Sequence, residues 1–258
     1  LRQIHVIAQL LKEHQIDHVF LKGAALIASE YYQDNAERMV GDIDILVSKD
    51  QLHTAFELLK CNGYNKTLGF DYQALNYRHL DRLISPNELA AIELHDELLV
   101  PKYRNNIALD KLLRSKTFHN CIPIPNAFYL AKHQILAWQI NDLGHYYRAL
   151  NLKTCYDSIV LKTHLNDLLI LDLAKHKFGR SYLELATYYF KEFSSVLSNN
   201  NSQSYLKLHL KYITNTFYKS SIKPIKQHYI YFVSRLFLVV YNKYYRLHVL
   251  KKIFISKK

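Results

Sequence analysis

Cysteine is scarce in this sequence of 258 residues. The three cysteines, at positions 61, 121 and 155, have neither the spacing of a metal site nor the even number of a disulfide framework. We therefore expect buried cysteines that fill apolar space, in a reducing compartment such as the cytoplasm. Because the sequence begins with Leu rather than Met, we also expect its N-terminus to be truncated.

Long apolar runs and C-terminal acidic residues are also missing. No stretch reaches the length of about 20 apolar residues that a transmembrane helix needs. Residues 193–258 contain twelve Lys or Arg and no Asp or Glu, so the whole net charge of +12 lies in this segment. Such an uneven distribution of charge indicates an anionic partner for the C-terminal part of the chain.

A strand followed by a glycine and a helix is the first candidate binding feature. The pattern predicts a short strand over residues 18–21, a turn at Lys22 and Gly23, and a helix over residues 24–32. The N-terminus of a helix offers free backbone N–H groups and a positive dipole end, and Lys22 adds a full positive charge. We therefore predict a phosphate-binding site at Lys22 and Gly23.

Two aspartates on one strand are the second candidate feature. In the predicted strand 41–47, Asp42 and Asp44 alternate with Ile43 and Ile45, so the carboxylates lie on one face and the isoleucines on the other. Adjacent carboxylates repel each other and need cations, and Mg²⁺ prefers oxygen ligands of this kind. An Asp-x-Asp strand taken alone is more often a solvated edge, but the preceding glycine turn favours a metal site.

A predicted hairpin adds an acid and an imidazole. Residues 77–84 and 89–95 have the pattern of two strands, joined by a turn over residues 85–88. In the second strand, Glu93 and His95 lie on the face opposite the core residues. A solvent-exposed strand edge is the alternative interpretation, and a histidine beside a carboxylate is more often an orienting hydrogen-bond partner than a metal ligand.

These features resemble a known superfamily. The chain is similar to the DNA polymerase beta-like nucleotidyltransferases in its Leu-Lys-Gly at residues 21–23, in Arg38, and in its Asp-Ile-Asp-Ile-Leu-Val at residues 42–47. Within the superfamily it looks like a bacterial subgroup that shares this Leu-Lys-Gly and a later Glu-Leu-His, here at residues 93–95. It departs from the usual pattern in having Ala24 after the glycine and a longer gap before the aspartates. The resemblance covers about the first hundred residues.

The resemblance implies a reaction and a metal site. Members of the superfamily transfer a nucleoside monophosphate from an NTP such as ATP to an acceptor hydroxyl and release pyrophosphate. By this resemblance, Asp42 and Asp44 would hold two Mg²⁺ ions, with Mn²⁺ as a substitute, and Glu93 would bind the second ion and accept the acceptor's proton.

The same resemblance implies phosphate-binding residues. Lys22 and the amide of Gly23 would hold the β- or γ-phosphate, and Arg38 would neutralise another phosphate oxygen. Arg38 has an alternative role as the structural partner of Asp42 or Glu37.

The rest of the sequence is predominantly helical in pattern. Its middle part resembles the helical lobe of the subgroup, in which Arg148 would contact the nucleotide or, alternatively, pair with Asp157. We expect a loop over the site at residues 64–77, an extended connector at 122–125 and a linker at 194–204. Helices are predicted over residues 2–14, 51–61, 109–113, 127–140, 166–175, 181–193, 205–218 and 225–255.

Together these patterns predict an α+β fold in three parts. A small mixed β-sheet nucleotidyltransferase core with flanking helices occupies residues 1–105, and an all-helical lobe occupies residues 106–195. A basic, aromatic helical segment follows over residues 196–258. This segment would lie on an anionic membrane surface, peripheral to the bilayer, or bind a nucleic acid, or be a buried helix with solvated ends.

Three functions are compatible with this sequence. We expect a metal-dependent nucleotidyltransferase whose acceptor is a small molecule, a glycan precursor, a protein or an RNA. The alternatives are a toxin–antitoxin type nucleotidyltransferase that modifies tRNA or a protein, and a non-catalytic protein that binds nucleotides or a membrane surface. A binding protein has no need of three converging carboxylates, so Asp42, Asp44 and Glu93 favour an enzyme.

Overall fold

The structure is a computed structural model that describes residues 1–67, 78–162, 167–196 and 204–255. Four predicted segments lie partly outside these residues. Residues 68–77 of the loop expected at 64–77 and residues 197–203 of the linker expected at 194–204 fall outside, as do the first residue of the strand expected at 77–84 and that of the helix expected at 166–175.

The chain forms two compact units. The first comprises residues 1–67 and 78–206, and the second begins at Lys207. The predicted division of the first unit at residue 105, between a core and a helical lobe, stays a prediction.

Five strands of the first unit form one mixed sheet. They are β1 (His18–Phe20), β2 (Asp42–Val47), β3 (Asn65–Lys66), β4 (Leu83–Ile84) and β5 (Ala91–His95). Their order is β1-β2-β5-β4-β3, in which β2 and β5 are parallel and the other neighbours are antiparallel. The predicted small mixed sheet is confirmed, and so is the antiparallel pairing of the hairpin, but the first strand of the hairpin is Leu83–Ile84 rather than residues 77–84.

Helices make up most of the remaining first unit, and α2 and α3 pack on β2 and β5 respectively. The α-helices are α1 (Arg2–Glu13), α2 (Lys22–Ala28), α3 (Leu52–Cys61), α4 (Leu109–Arg114), α5 (Ala127–Leu136), α6 (Gly144–Tyr147), α7 (Leu152–Leu161), α8 (Asp167–Lys175) and α9 (Lys177–Tyr189). Short 3₁₀ segments lie at Asn35–Glu37, Pro101–Asn106 and Lys191–Val196, and a π-helical turn at Ala137–Asn141 extends α5.

Local sequence signals account for several of these helices. In α1, Ile4, Ile7 and Leu11 recur every three or four residues and are buried, as the apolar periodicity predicted. At the start of α5, Oδ1 of Asn126 accepts a hydrogen bond from the backbone N–H of Tyr129 at 3.0 Å. The side chain of Asn126 therefore caps this helix.

The helix after β1 is shorter than predicted. It begins at Lys22 rather than at residue 24, and it ends at Ala28 rather than at residue 32. The hydroxyl of Ser29 donates to the carbonyl of Leu26 at 2.8 Å, and Glu30 adopts a left-handed φ of 60°. A left-handed residue directs the chain out of the helix, which explains the early end.

The segment predicted as an extended connector is a strand. β7 (Ile122–Ile124) pairs antiparallel with β6 (Thr117–His119) in a separate two-stranded sheet. Asn120 and Cys121 join the strands with φ values of 48° and 66°. Two left-handed residues in a two-residue turn favour the twist of an antiparallel hairpin, which explains the pairing.

The three cysteines differ in burial. Cys155 is buried, as expected, whereas Cys61 and Cys121 are exposed, contrary to expectation. Cys61 ends α3 and Cys121 lies in the β6–β7 turn, and such positions at the ends of elements are commonly exposed.

The C-terminal part consists of helices. They are α10 (Ser204–Thr214), a π-helical turn (Tyr218–Ile222), α11 (Lys223–Tyr241) and α12 (Lys243–Ile255). The single helix predicted over residues 225–255 is instead two helices, which are divided at Asn242. The backbone of Asn242 is extended, and its Oδ1 accepts hydrogen bonds from the backbone N–H groups of Tyr244 and Tyr245. This side chain caps α12 and so favours a new helix start. Among the described residues, no helix has the length and apolar composition needed to cross a membrane.

Candidate nucleotide and metal site

Acidic side chains meet on one face of the five-stranded sheet. The parallel pairing of β2 with β5 sets Asp44 beside Glu93 and Asp42 beside Ala91. Paired positions on neighbouring strands point to the same face, and positions two apart on one strand share that face. The structure therefore brings Asp42, Asp44, Glu93 and His95 together.

Asp44 is the most buried of the three carboxylates, with 5% of its surface exposed. Its Oδ1 accepts hydrogen bonds from Nζ of Lys22 at 2.6 Å and from Nε2 of His95 at 2.9 Å. Burial by itself raises the pKa of Asp44, but the hydrogen bond from His95 and the charge of Lys22 outweigh it and hold the pKa well below its ordinary value. Asp44 is therefore ionised at neutral pH.

A guanidinium group joins the other two carboxylates. Nη2 of Arg82 lies 2.8 Å from Oε1 of Glu93 and 3.0 Å from Oδ2 of Asp42. Burial raises the pKa of Asp42, and the charge of Arg82 opposes this rise. Arg82 was not among the predicted site residues, although the hairpin register, which pairs Leu83 with Ile92, sets Arg82 opposite Glu93.

Part of this cluster has the geometry of a metal site. Asp44, Glu93 and His95 each offer one ligand atom, and these atoms lie within 4.8 Å of one another. Carboxylate oxygens are the ligands that Mg²⁺ prefers, and Mn²⁺ also accepts them. Two positive side chains, Lys22 and Arg82, already contact the carboxylates, so the site stabilises positive charge. The donor set therefore fits a hard divalent cation.

His95 is better placed to orient Asp44 than to bind a metal. Burial lowers the pKa of its imidazole, against the opposing effect of the hydrogen bond to Asp44. A neutral ring that donates its Nε2 proton to a carboxylate has no free lone pair on that nitrogen. The bond instead fixes the orientation of the carboxylate, which is the role that the sequence favoured for His95.

Lys22 and Gly23 form the junction between β1 and α2. Lys22 has a φ of 48°, a left-handed conformation that residues other than glycine seldom adopt. A Cβ atom on Gly23 would lie 3.1 Å from Nη1 of Arg38 and 3.1 Å from Cγ2 of Val40. A side chain at position 23 would require Arg38 or Val40 to shift, so the close approach of these two side chains favours glycine there.

Arg38 is buried and binds Asp157 on α7. Its Nε and Nη2 donate to the two carboxylate oxygens at 2.7 and 3.0 Å, and the hydroxyl of Tyr32 donates to Asp157 at 2.5 Å. The charged partner is thus Asp157 rather than Asp42 or Glu37, the two partners that the sequence indicated. Phosphate binding by Arg38 stays a prediction.

Arg148, the accessory residue predicted in the helical part, follows α6 with a φ of 50°. Both carboxylate oxygens of Asp157, the aspartate considered as its partner, accept hydrogen bonds from Nε and Nη2 of Arg38. Contact between Arg148 and a nucleotide stays a prediction.

His133 on α5 is a further buried polar residue that was not predicted from the sequence. Burial and the charge of Lys22 lower its pKa to about 3, and the charge of Asp44 opposes this shift. Its Nδ1 has no hydrogen-bond partner among the described residues. A histidine within an apolar predicted helix is a signal that points to a buried polar group.

Comparison with known proteins identifies a family. A family described as uncharacterised nucleotidyltransferase matches residues 1–180. Among solved structures, an antigenic nucleotidyltransferase-like protein from Paracoccidioides brasiliensis is 19% identical, with a TM-score of 0.48 over 76% of this chain and 90% of that chain. No curated protein matches. Because the family match covers more than half of the chain and includes every candidate site residue, this protein belongs to the family of uncharacterised nucleotidyltransferases.

Proposed function

We propose that this protein transfers a nucleoside monophosphate from an NTP such as ATP onto an acceptor hydroxyl, releases pyrophosphate, and requires Mg²⁺. The observation that carries the proposal is the convergence of Asp42, Asp44 and Glu93 on one face of the sheet, beside Lys22. Carboxylates that lie this close together on one face repel each other, and a cation bound between them relieves the repulsion. Membership in a nucleotidyltransferase family supports nucleotidyl transfer as the type of reaction.

The three carboxylates are the residues that would hold the metal. Asp44 and Glu93 offer ligand atoms within 4.8 Å of each other, and Asp42 lies two residues before Asp44 on the same face. Two Mg²⁺ ions, or Mn²⁺, held there would neutralise the triphosphate and lower the pKa of the acceptor hydroxyl. His95 keeps Asp44 oriented through the 2.9 Å hydrogen bond.

Basic side chains beside the carboxylates would bind the phosphates. The side chain of Lys22 is 36% exposed, so its ammonium group can contact a β- or γ-phosphate while it stays near Asp44. The amide of Gly23 would donate to the same phosphate. The side chain of Arg82 is 45% exposed. Once its guanidinium group no longer contacts Asp42 and Glu93, it would bind a further phosphate oxygen.

Glu93 would accept the proton of the acceptor hydroxyl. It lies beside Asp44 in the parallel strand pair and is half-buried, so a hydroxyl bound at the cluster is within its reach. A small molecule, a glycan precursor, a protein side chain and an RNA end each offer such a hydroxyl. The last two include the toxin–antitoxin type of reaction.

Thermal unfolding with nucleotides tests the proposal without knowledge of the acceptor. Wild type and the Asp42→Asn/Asp44→Asn variant are unfolded with ATP, GTP, CTP or UTP, each with and without Mg²⁺. A nucleotide at about a hundred times its Kd adds about 2.7 kcal/mol to the free energy of unfolding. We expect a Mg²⁺-dependent increase in Tm of several degrees in the wild type and none in the variant.

The matched control is Asp50→Asn/Asp110→Asn, which removes two exposed carboxylates outside the site. This control changes the net charge by the same amount as Asp42→Asn/Asp44→Asn, and it is expected to keep the Mg²⁺-dependent increase in Tm. The preferred NTP then serves in a pyrophosphate-release assay with candidate acceptors. Absence of an increase in wild-type Tm with all four nucleotides would contradict the proposal.

A further inference from the structure

A continuous apolar strip covers one side of α11. None of the described residues of this helix is buried. Six large apolar side chains recur along one face and are 43–67% exposed, namely Ile225, Tyr229, Phe232, Val233, Leu236 and Val240. They form a strip about 22 Å long, which we call the α11 stripe. Exposed apolar residues are usually scattered, so a contiguous strip of this size marks an interaction surface.

The segment that carries the α11 stripe is strongly basic. Residues 193–258 contain twelve Lys or Arg and no Asp or Glu, so no acidic residue of the segment neutralises its charge. The basic groups contact aromatic rings instead, as Arg235 does with Tyr231 at 4.8 Å and with Tyr245 at 5.6 Å from the ring centres. A cation–π contact leaves the positive charge in place. The surface therefore attracts an anionic partner.

We propose that α11 lies on the surface of an anionic lipid bilayer, with the α11 stripe at the boundary of the acyl chains. A bilayer surface combines hydrocarbon with anionic headgroups, and so matches both the stripe and the charge. The exposed basic side chains of α12 would meet the headgroups; they are Lys243, Arg246, Lys251 and Lys252.

Other partners match only one of the two features. A second copy of the chain would cover the apolar strip, but the two basic segments would repel each other. A nucleic acid would attract the basic residues, but it gives aliphatic side chains such as Ile225, Leu236 and Val240 no apolar environment. The lipid proposal does not depend on the proposed transfer reaction, because it concerns α11 and α12 and not the carboxylate cluster.

Sedimentation with vesicles tests this inference on the whole chain of 258 residues. The vesicles contain phosphatidylcholine alone, or phosphatidylcholine with about 30% phosphatidylserine. We expect wild type to sediment with the anionic vesicles and not with the neutral ones. The Phe232→Glu/Leu236→Glu variant places two charges in the α11 stripe and is expected to bind far more weakly, because charged groups resist transfer to the acyl boundary.

The matched control is Gln227→Glu/Ser234→Glu. It adds the same two charges at exposed positions on the opposite side of α11, so it loses only electrostatic attraction. We expect the stripe variant to bind at least about tenfold more weakly than this control. Circular dichroism checks that each variant is folded, and Phe232→Ser/Leu236→Ser replaces the first variant if that one is not.

Three outcomes would overturn the inference. In the first, wild type fails to sediment with anionic vesicles. In the second, the stripe variant and its control bind equally, which would mean that charge alone drives the interaction. In the third, wild type binds a single-stranded RNA oligonucleotide but not the vesicles, which would identify nucleic acid as the partner.

Discussion

Nη2 of Arg82 lies 2.8 Å from Oε1 of Glu93 and reaches Asp42 at 3.0 Å. Arg82 immediately precedes β4, and the pairing of β4 with β5 sets it opposite Glu93. A guanidinium group thus contacts oxygen atoms that a divalent cation would use in the proposed reaction. The two cations compete for the same carboxylates, so metal binding and the release of Arg82 are linked.

The Arg82→Ala variant is expected to bind divalent metal more tightly. It removes a competing positive charge and leaves Asp42 and Glu93 with free oxygen atoms, so the affinity for Mn²⁺ should rise about three- to tenfold. Titration of Mn²⁺ followed by electron paramagnetic resonance measures the Kd directly. Arg82→Lys keeps the charge and should stay near the wild-type value. An unchanged Kd in Arg82→Ala would show that the two cations do not compete.

The Gly23→Ala variant is expected to lose about 1–2 kcal/mol of unfolding free energy. Its new methyl group would lie 3.1 Å from Arg38 and from Val40, and Arg38 is held in place by Asp157. Gly41→Ala is the control, because a Cβ there meets no atom within 4 Å among the described residues. Urea unfolding measures both variants. Equal stabilities would contradict the close approach at Gly23.

Breaking the Arg38–Asp157 pair is expected to be costly. Asp157→Ala leaves a buried guanidinium without its partner, and such changes lower the unfolding free energy by about 3–5 kcal/mol. The double variant Arg38→Met/Asp157→Leu should recover part of this loss, because no unpaired charge remains. Glu57→Ala breaks the exposed pair with Lys60 and should change stability by less than about 0.5 kcal/mol. Urea unfolding would disprove the interpretation if Asp157→Ala resembled Glu57→Ala.

The strands of the site were predictable because their signals are local. Asp42 and Asp44 alternate with isoleucines within one strand, and the turn before β5 fixes the face of Glu93. The hairpin register also determines the position of Arg82 opposite Glu93, although Arg82 was not predicted as a site residue. Where a contact depends on one strand or one turn, sequence pattern is sufficient.

Contacts between distant segments were not predictable in this way. The partners Arg38 and Asp157 are 119 residues apart, and their contact depends on how α7 packs in the folded unit. The β6–β7 hairpin was missed for a different reason. Its turn is Asn120-Cys121, which lacks the glycine typical of such turns, and Pro123 is tolerated because each strand of a two-stranded sheet is an edge.

Acid is expected to destabilise the protein partly through His133. Burial is the main cause that lowers its pKa from 6.5 to about 3 in the folded protein. Between these two pH values, the unfolded state therefore binds a proton on this ring that the folded state does not bind. The stabilisation is complete above pH 6.5 and is lost as the pH falls toward 3. The pKa of Asp44 is also held low in the folded protein, so this group contributes a further loss of unfolding free energy as the pH falls below 3.8.

Urea unfolding at a series of pH values checks this expectation. In His133→Leu, the dependence of the unfolding free energy on pH between 6.5 and 4 should be weaker than in the wild type. It should not vanish, because burial also lowers the pKa of His18 and His95. His53→Gln, a substitution at an exposed histidine, is the control variant. A full wild-type slope in His133→Leu would contradict the assignment.

Substitutions of Lys22 separate the effect of the backbone from that of the charge. Lys22→Ala and Lys22→Gly both remove the ammonium group that lies 2.6 Å from Asp44, so both should lose the Mg²⁺-dependent increase in Tm with NTP. The φ of 48° is unfavourable for alanine but not for glycine, so Lys22→Gly should be the more stable by about 1 kcal/mol. Equal stabilities in urea unfolding would exclude strain at this position, and a retained increase in Tm would exclude Lys22 as a phosphate ligand.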